Sequence, residues 1–358
     1  MKIKAFIFLN LILMNHSKIL GQNLPTHNPD LPFIEAKKSL GTGNIIVNKQ
    51  YQNHEFPYTP EFKDVRKWKS QKNPYEAQKK ADKTRLVVAE DAEKEILDTQ
   101  DGIFWLGHAT FLIRLGGKTF ITDPVLEKAS GMLKRFSKLP ISLDKLPKID
   151  YILMSHDHRD HCDVSSLKFI AKRNPGVKYF SGLEMDKILN KFLPGAEGQV
   201  AGWYQQFTLE GHLFKLWFLP TRHWSKRWFT DTNIRLWGSF VLEIDGVVIY
   251  FGGDSGYGSH YKEIATLFPK IDMAILGIGA FEPEWFMEKN HSSPQMAFQS
   301  FIDLNAKYMV PMHYGTFDLS DEPVCLPGEM IKDIAIKNEK TQQVLVPLLG
   351  QNILKLME

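Results

Sequence analysis

Beyond residue 101 the chain alternates short apolar blocks with turn residues, a spacing that suits buried strands better than long helices. Blocks rich in Val, Ile, Leu, Phe and Trp fall at 104–115, 118–122, 151–154, 177–180, 212–219, 239–244, 247–251, 273–278 and 308–312. Gly116-Gly117 and Asp245-Gly246, each between two such blocks, predict tight hairpins, because such turns need residues that accept positive φ. Helical spacing falls between the strands. Asp163 is placed to cap a helix carrying Leu167, Ile170 and Ala171, and Ser293 followed by Pro294 opens another with Ala297, Phe301 and Leu304 on one side. Strands interleaved with helices predict one layered α/β domain over 101–358.

The first hundred residues read differently. Lys2 and Lys4 precede an apolar run at 5–14 that is too short for a bilayer, which takes about 20 residues. Residues 1–21 therefore read as a secretory signal peptide with cleavage after Gly21, and the protein is expected to be exported to a periplasmic or extracellular location. From 22 to 100, Pro25, Pro29, Pro32, Pro57, Pro60 and Pro74 interrupt any long period, so this stretch reads as an extension packed on the domain. Within it, 63–85 carries nine Lys/Arg against Asp64, Glu76 and Asp82. That run reads as a solvated face, or as a surface resting on anionic lipid in peripheral membrane contact.

A hydrophobic content of 43% supports a sizeable core, and a formal charge of +3 without a concentrated basic stripe argues against nucleic acid as a partner. Two cysteines, Cys162 and Cys325, do not make a disulfide framework, and Cys162 is expected to pack as a small apolar side chain. The histidines carry more information. Ser155-His156-Asp157-His158-Arg159-Asp160-His161 sets three imidazoles and two carboxylates directly after the apolar run 151–154. Imidazole nitrogen and carboxylate oxygen are the donors that a catalytic zinc accepts, and such a crowd at the end of a buried strand needs a cation to pair it. His223, Asp254 and His313 each follow an apolar block, and His291 precedes the helix begun at Pro294. Loops at strand ends are where sites assemble in layered α/β proteins, so these distant positions are candidates to converge on the cluster.

The ordered series resembles the metallo-β-lactamase superfamily, and more narrowly the family of phospholipases D that hydrolyse N-acylphosphatidylethanolamine. The resemblance runs from about Phe104 to Pro323. It rests on Trp105-Leu106-Gly107-His108-Ala109-Thr110, Thr122-Asp123-Pro124, the cluster 156–161, His223-Trp224, Gly252-Gly253-Asp254-Ser255-Gly256, Trp285-Phe286-Met287 and His313-Tyr314-Gly315. It implies a four-layer αββα sandwich holding two zinc ions, with iron or manganese as the alternative metals. His156, His158 and His223 would hold the first ion, Asp160, His161 and His313 the second, and Asp254 would bridge them.

The implied reaction is attack of a metal-bridging hydroxide on a phospholipid phosphodiester, releasing N-acylethanolamine and leaving phosphatidic acid. Asp160 and Asp254 would orient the hydroxide, and His291 would contact a phosphate oxygen or assist the leaving group. Asp123 is a candidate acceptor for a ligand imidazole, Asp157 is expected to be solvated or to support the ligands, and His108 to serve structure or line the site. Trp224, Trp285, Phe286 and Met287 divide between core packing and an acyl-chain groove. The alternative within the superfamily is a hydrolase of a soluble ester or lactone, of the ascorbate-phosphate lactonase type. A lactam hydrolase fits less well, since common members of that class place a cysteine ligand where this chain has Asp254.

Overall fold

Alternation of side chains along each strand decides which layer each residue joins. The computed structural model describes residues 24–38, 43–58, 61–130, 133–209 and 214–358; the expected leader at 1–21 and the start of the block predicted at 212–219 lie outside the described residues. The extension holds α1 (Glu35–Lys38), a small hairpin of β1 (Ile46–Val47) and β2 (Gln50–Tyr51), α2 (Phe62–Ser70), α3 (Glu76–Ala81) and α4 (Ala92–Leu97). Two six-stranded sheets follow.

The first sheet has the spatial order β3 (Gly102–Gly107), β4 (Thr110–Leu115), β5 (Lys118–Thr122), β6 (Tyr151–Met154), β7 (Lys178–Gly182) and β8 (Glu197–Ala201). The second comprises β9 (Gln205–Gln206), β10 (Lys215–Leu219), β11 (Ser239–Ile244), β12 (Val247–Phe251), β13 (Met273–Gly277) and β14 (Tyr308–Met312), in that spatial order. Phe111, Ile113, Phe120, Leu153 and Phe180 turn inward to meet Leu216, Phe218, Phe240 and Phe251 of the second sheet. Their neighbours Leu112, Ile121, Ile152, Met154 and Tyr179 turn outward, under Leu167 and Ile170 of α5 (Val164–Arg173) and Ile188 and Leu189 of α6 (Asp186–Phe192).

The second sheet is covered by α7 (His260–Leu267), α9 (Pro294–Asp303) and α10 (Leu326–Lys337), with the single turn α8 (Glu284–Met287) between α7 and α9. The result is the expected αββα arrangement. Because both sheets are buried on both faces, their strands read as nearly continuous apolar runs.

Both expected hairpins are present. Leu115 pairs with Lys118 across Gly116-Gly117, and Ile244 with Val247 across Asp245-Gly246, with positive φ at all four turn residues. The expected caps also form: Asp163 accepts from the Ser166 N–H, and Ser293 from the Met296 N–H. One block divides. The run 104–115 is two antiparallel strands, β3 and β4, turning at His108-Ala109. No helix among the described residues is long and apolar enough to cross a membrane.

Residues 24–38 and 43–58 lie against the second sheet and its loops. Phe33 bridges to Gln205, Leu31 and Tyr51 are buried in the main core, and the Tyr51 N–H donates to the Asn233 carbonyl at 2.8 Å.

Candidate metal centre

The C-terminal ends of β5, β6, β10, β12 and β14 meet at one edge of the sandwich, and the turn between β3 and β4 joins them there. This register brings His156, His158, His223 and Asp254 into one group and His108, Asp160, His161 and His313 into another, with the donor atoms of each group within 4.8 Å of one another. The Asp254 carboxylate touches both. Its Oδ2 lies 3.1 Å from His161 Nε2 and 3.2 Å from His313 Nε2, and 3.7 Å and 3.9 Å from His223 Nε2 and His156 Nε2. All seven expected ligands therefore converge, with His108 added to them.

The backbone needed to bring them this close is costly. His108, Asp123 and His313 all adopt positive φ, a conformation that side-chain-bearing residues avoid unless the surroundings hold them there. Gly253, also at positive φ, would set a Cβ 2.9 Å from Ser155 Cβ, so a larger residue would push the Asp254 loop off the His156 loop.

Hydrogen bonds on the far sides of the rings fix where the lone pairs point. Ser155 Oγ donates to Asp123 Oδ2 at 2.6 Å, which leaves it to accept from His156 Nδ1 at 2.8 Å. His223 Nδ1 donates to the Asn290 carbonyl at 2.9 Å, and His161 Nδ1 donates to Asp123 Oδ2 at 2.8 Å. Each Nε2 is then a bare lone pair facing inward. Those of His156 and His223 come within 2.9 Å and 3.1 Å of His158 Nδ1, while that of His161 faces two carboxylates. A neutral His158 has at most one Nδ1 proton to offer the two lone pairs that face it, so at least one of them, like the His161 lone pair against the carboxylates, is repelled unless a cation stands among them.

The buried atoms His161 Nε2, both ring nitrogens of His313 and Asp254 Oδ1 likewise have no hydrogen-bond partner among the described residues. This donor set fits divalent metal. Without metal, protons take part of that role. Burial opposes charge on His161 and His313, yet Asp254 and Asp160 hold His161 well above its ordinary pKa and raise His313 to about 9. Burial would raise both carboxyls, but the His161 charge holds each well below its usual range.

The surrounding residues sort by contact. Asp123 is the expected imidazole acceptor. Of the two expectations for Asp157, burial excludes solvation and leaves support of the ligands: Oδ2 accepts from Arg235 Nε at 2.5 Å and Oδ1 from the Lys226 N–H at 2.8 Å. His108 Nε2 lies 3.1 Å from Asp160 Oδ2, and burial lowers its pKa to about 3, so it donates as a neutral ring and orients that carboxylate. His291 stands at the opening with Nδ1 3.7 Å from Asp254 Oδ2, and burial lowers it to about 4. Trp224 sets its ring 4.6 Å from that of His158, whereas Phe286 and Met287 are buried. Cys162 packs in the apolar layer beneath α5.

Residues 118–314 match the family model of the β-lactamase superfamily domain. The chain is 32% identical over 263 residues to N-acyl-phosphatidylethanolamine-hydrolyzing phospholipase D 1 of Caenorhabditis elegans, covering 69% of this chain and 72% of that one. It belongs to the metallo-β-lactamase superfamily and, within it, to the family like this phospholipase D. A metal-dependent hydrolase of Caldivirga maquilingensis is 30% identical over 213 residues, covering 60% of this chain and 82% of the relative. Among solved structures, a possible metal-dependent hydrolase from Veillonella parvula superposes with a TM-score of 0.57 at 16% identity, over 70% of this chain and 98% of that one, which bears on the fold. The protein is thus a metal-dependent hydrolase of this superfamily.

Proposed function

We propose that the protein is a dinuclear zinc phosphodiesterase that hydrolyses N-acylphosphatidylethanolamine. Water adds to phosphorus, the bond from phosphorus to the ethanolamine oxygen breaks, and the products are N-acylethanolamine and phosphatidic acid. The observation that carries the reading is the Asp254 carboxylate set between two groups of inward-facing imidazoles, in a chain similar to a phospholipase D acting on that lipid. His156, His158 and His223 would hold one ion, Asp160, His161 and His313 the other, with Asp254 shared. Ions held there supply Lewis acidity toward a phosphoryl oxygen and make water acidic enough to react at neutral pH.

The chain's own groups supply orientation. His108 fixes the Asp160 carboxylate, Asp123 and Asn290 fix the tautomers of His161 and His223, and His291 offers a neutral ring to a phosphoryl oxygen at the opening. Replacing His291 by Ala is expected to leave the bound metal intact while lowering kcat by about a hundredfold, the usual worth of a positioned proton-transfer or hydrogen-bonding group. Metal content and initial rates measured on one preparation check this, and unchanged turnover would remove His291 from the mechanism.

The surroundings of the opening suit a lipid surface. Trp68 of α2 packs 5.5 Å from Phe286, and Lys67 Nζ sits 4.2 Å above the Trp285 ring, so α2 flanks the segment leading to His291. Phe62 on α2 is 80% exposed and Phe229, in the loop after His223, is 97% exposed, with Lys63, Arg66, Lys67 and Lys69 exposed on α2. Exposed aromatics interspersed with cations favour an anionic interface. The test is turnover of N-acylphosphatidylethanolamine in vesicles containing anionic phospholipid. Equal release of the two products, stopped by chelation and restored by zinc, is expected. Hydrolysis of a soluble phosphodiester or lactone with the vesicle lipid untouched would overturn the lipid assignment and leave the hydrolase.

A further inference from the structure

His223 sits in a stretch held, among the described residues, by a single isolated bridge, from Arg222 just before it to Gly256. Between the end of β10 at Leu219 and the start of β11 at Ser239, the chain runs through turns and irregular backbone, yet His223 has to deliver its Nε2 beside His158. The Asn290 carbonyl steers its ring. A different element reaches its backbone: Asn53, 170 residues earlier in the chain and 4% exposed, donates from Nδ2 to the His223 carbonyl at 3.0 Å and accepts at Oδ1, 3.3 Å away, from the His223 N–H that it shares with the Thr221 carbonyl at 3.1 Å.

The amide cannot be reversed. Its Oδ1 also shares the Trp237 Nε1–H, 3.3 Å away, with the Thr221 carbonyl at 3.0 Å, and the flipped amide would set its NH2 against two N–H donors and its oxygen against the His223 carbonyl. Asn53 is itself held on a seated strap. Tyr51 is fully buried, with its N–H on the Asn233 carbonyl and its hydroxyl on the Pro25 carbonyl, each at 2.8 Å; Asn44 Oδ1 accepts from the Trp203 N–H at 3.1 Å. The whole strap lies before the residues matched by the superfamily model, which begin at 118.

We infer that Asn53 is a positioning residue of the metal centre, holding His223 in ligating geometry through its backbone. The inference rests on the two-ion reading above. Partners just outside the ligand set set affinity by holding ligands in place, and their loss costs about 10- to 100-fold in metal binding. Asn53 removes two freedoms from His223 at once, which makes it such a partner.

The test is zinc binding by the parent, Asn53→Leu and Tyr51→Phe proteins, each stripped, titrated against a competing chelator and counted for zinc after desalting, with thermal midpoints recorded. The parent is expected to hold two equivalents. Asn53→Leu should keep one and bind the other about 10- to 100-fold more weakly. Tyr51→Phe, which loosens the strap without touching His223, should keep both at parental affinity even where its midpoint falls. Parental affinity for both ions in Asn53→Leu would overturn the inference, as would an equal loss in Tyr51→Phe. A parent holding fewer than two ions would overturn the two-ion reading instead, before any variant is compared. If Asn53→Leu does not fold, Asn53→Asp decides: it keeps the shape and the acceptor but loses the donor to the His223 carbonyl, and unchanged zinc affinity there would equally overturn the inference.

Discussion

Replacing Asp254 by Asn is expected to lower turnover by on the order of 10³ or more, comparable to or beyond the loss of a preorganised charge-stabilising group, and to reduce bound metal from two ions to at most one. The reason is position as much as charge. Asp254 Oδ2 lies within 3.1 to 3.9 Å of ring nitrogens from both imidazole groups, so an amide there leaves each group short of its shared anion. The metal-free variant should suffer as well. Asp254 is a principal support for the charge on His161 and His313, and removing one partner of a buried pair costs about 3–5 kcal/mol where the other stays charged. Metal analysis, steady-state rates and denaturant melts of the stripped variant check the three parts. A variant that keeps both ions and full activity would exclude Asp254 as the shared ligand.

Where local chemistry dictates geometry, the fold was legible. Gly116-Gly117 and Asp245-Gly246 mark their hairpins because few other pairs accept positive φ twice in succession. The turn between β3 and β4 escaped for the same reason in reverse. There His108 takes the positive φ, and Ala109 is apolar and buried, so the block 104–115 reads as unbroken. Strand β8, Glu-Gly-Gln-Val-Ala, was missed because it lies at a sheet edge with Glu197 and Gly198 exposed, and carries little of the apolar signal that marks its neighbours.

The site divides along similar lines. The cluster 156–161 is compact enough to declare a metal by itself, and His223, Asp254 and His313 were traceable because each follows a buried strand. Their division between two ions came from the resemblance to a family, since spacing alone does not pair residues that are a hundred positions apart. What supports the ligands was hidden. Asn53 and Arg235 look like any polar residue in a loop, and Asn290 acts through its backbone carbonyl, which no side-chain pattern reports. Asp157 was half legible: its place between two ligands is visible, but the Arg235 guanidinium that pairs with it comes from 78 residues further along. Such long-range complementarity is a property of the packed molecule.

Chelation is expected to lower the thermal midpoint by on the order of 10–20 °C, because each ion present at about a thousand times its Kd contributes roughly 4 kcal/mol. The stripped protein should then show a pH dependence set by the protons standing in for metal. His161 and His313 have folded pKa values above their ordinary 6.5, so their contribution is complete below that value and is lost as pH rises through the folded ones, about 9 for His313. Asp160 and Asp254 lie below their ordinary 3.8, so theirs is complete above it and is lost as pH falls through the depressed values. The metal-free protein should therefore be most stable between about pH 4 and 6.5 and weaken toward pH 9. Metal binding should run the other way. At pH 7 it displaces protons from His161 and His313, so observed affinity should rise with pH, about tenfold per unit for each proton displaced, and the His313 share of that rise should level off above about pH 9. His156 and His223, which burial holds well below 6.5, are already neutral and should add nothing. Calorimetric titration of zinc in two buffers of different ionisation enthalpy counts the protons directly. Release of none at pH 7 would mean that His161 and His313 are neutral before metal arrives, and that the pairing of their charge with Asp160 and Asp254 does not hold the empty site together.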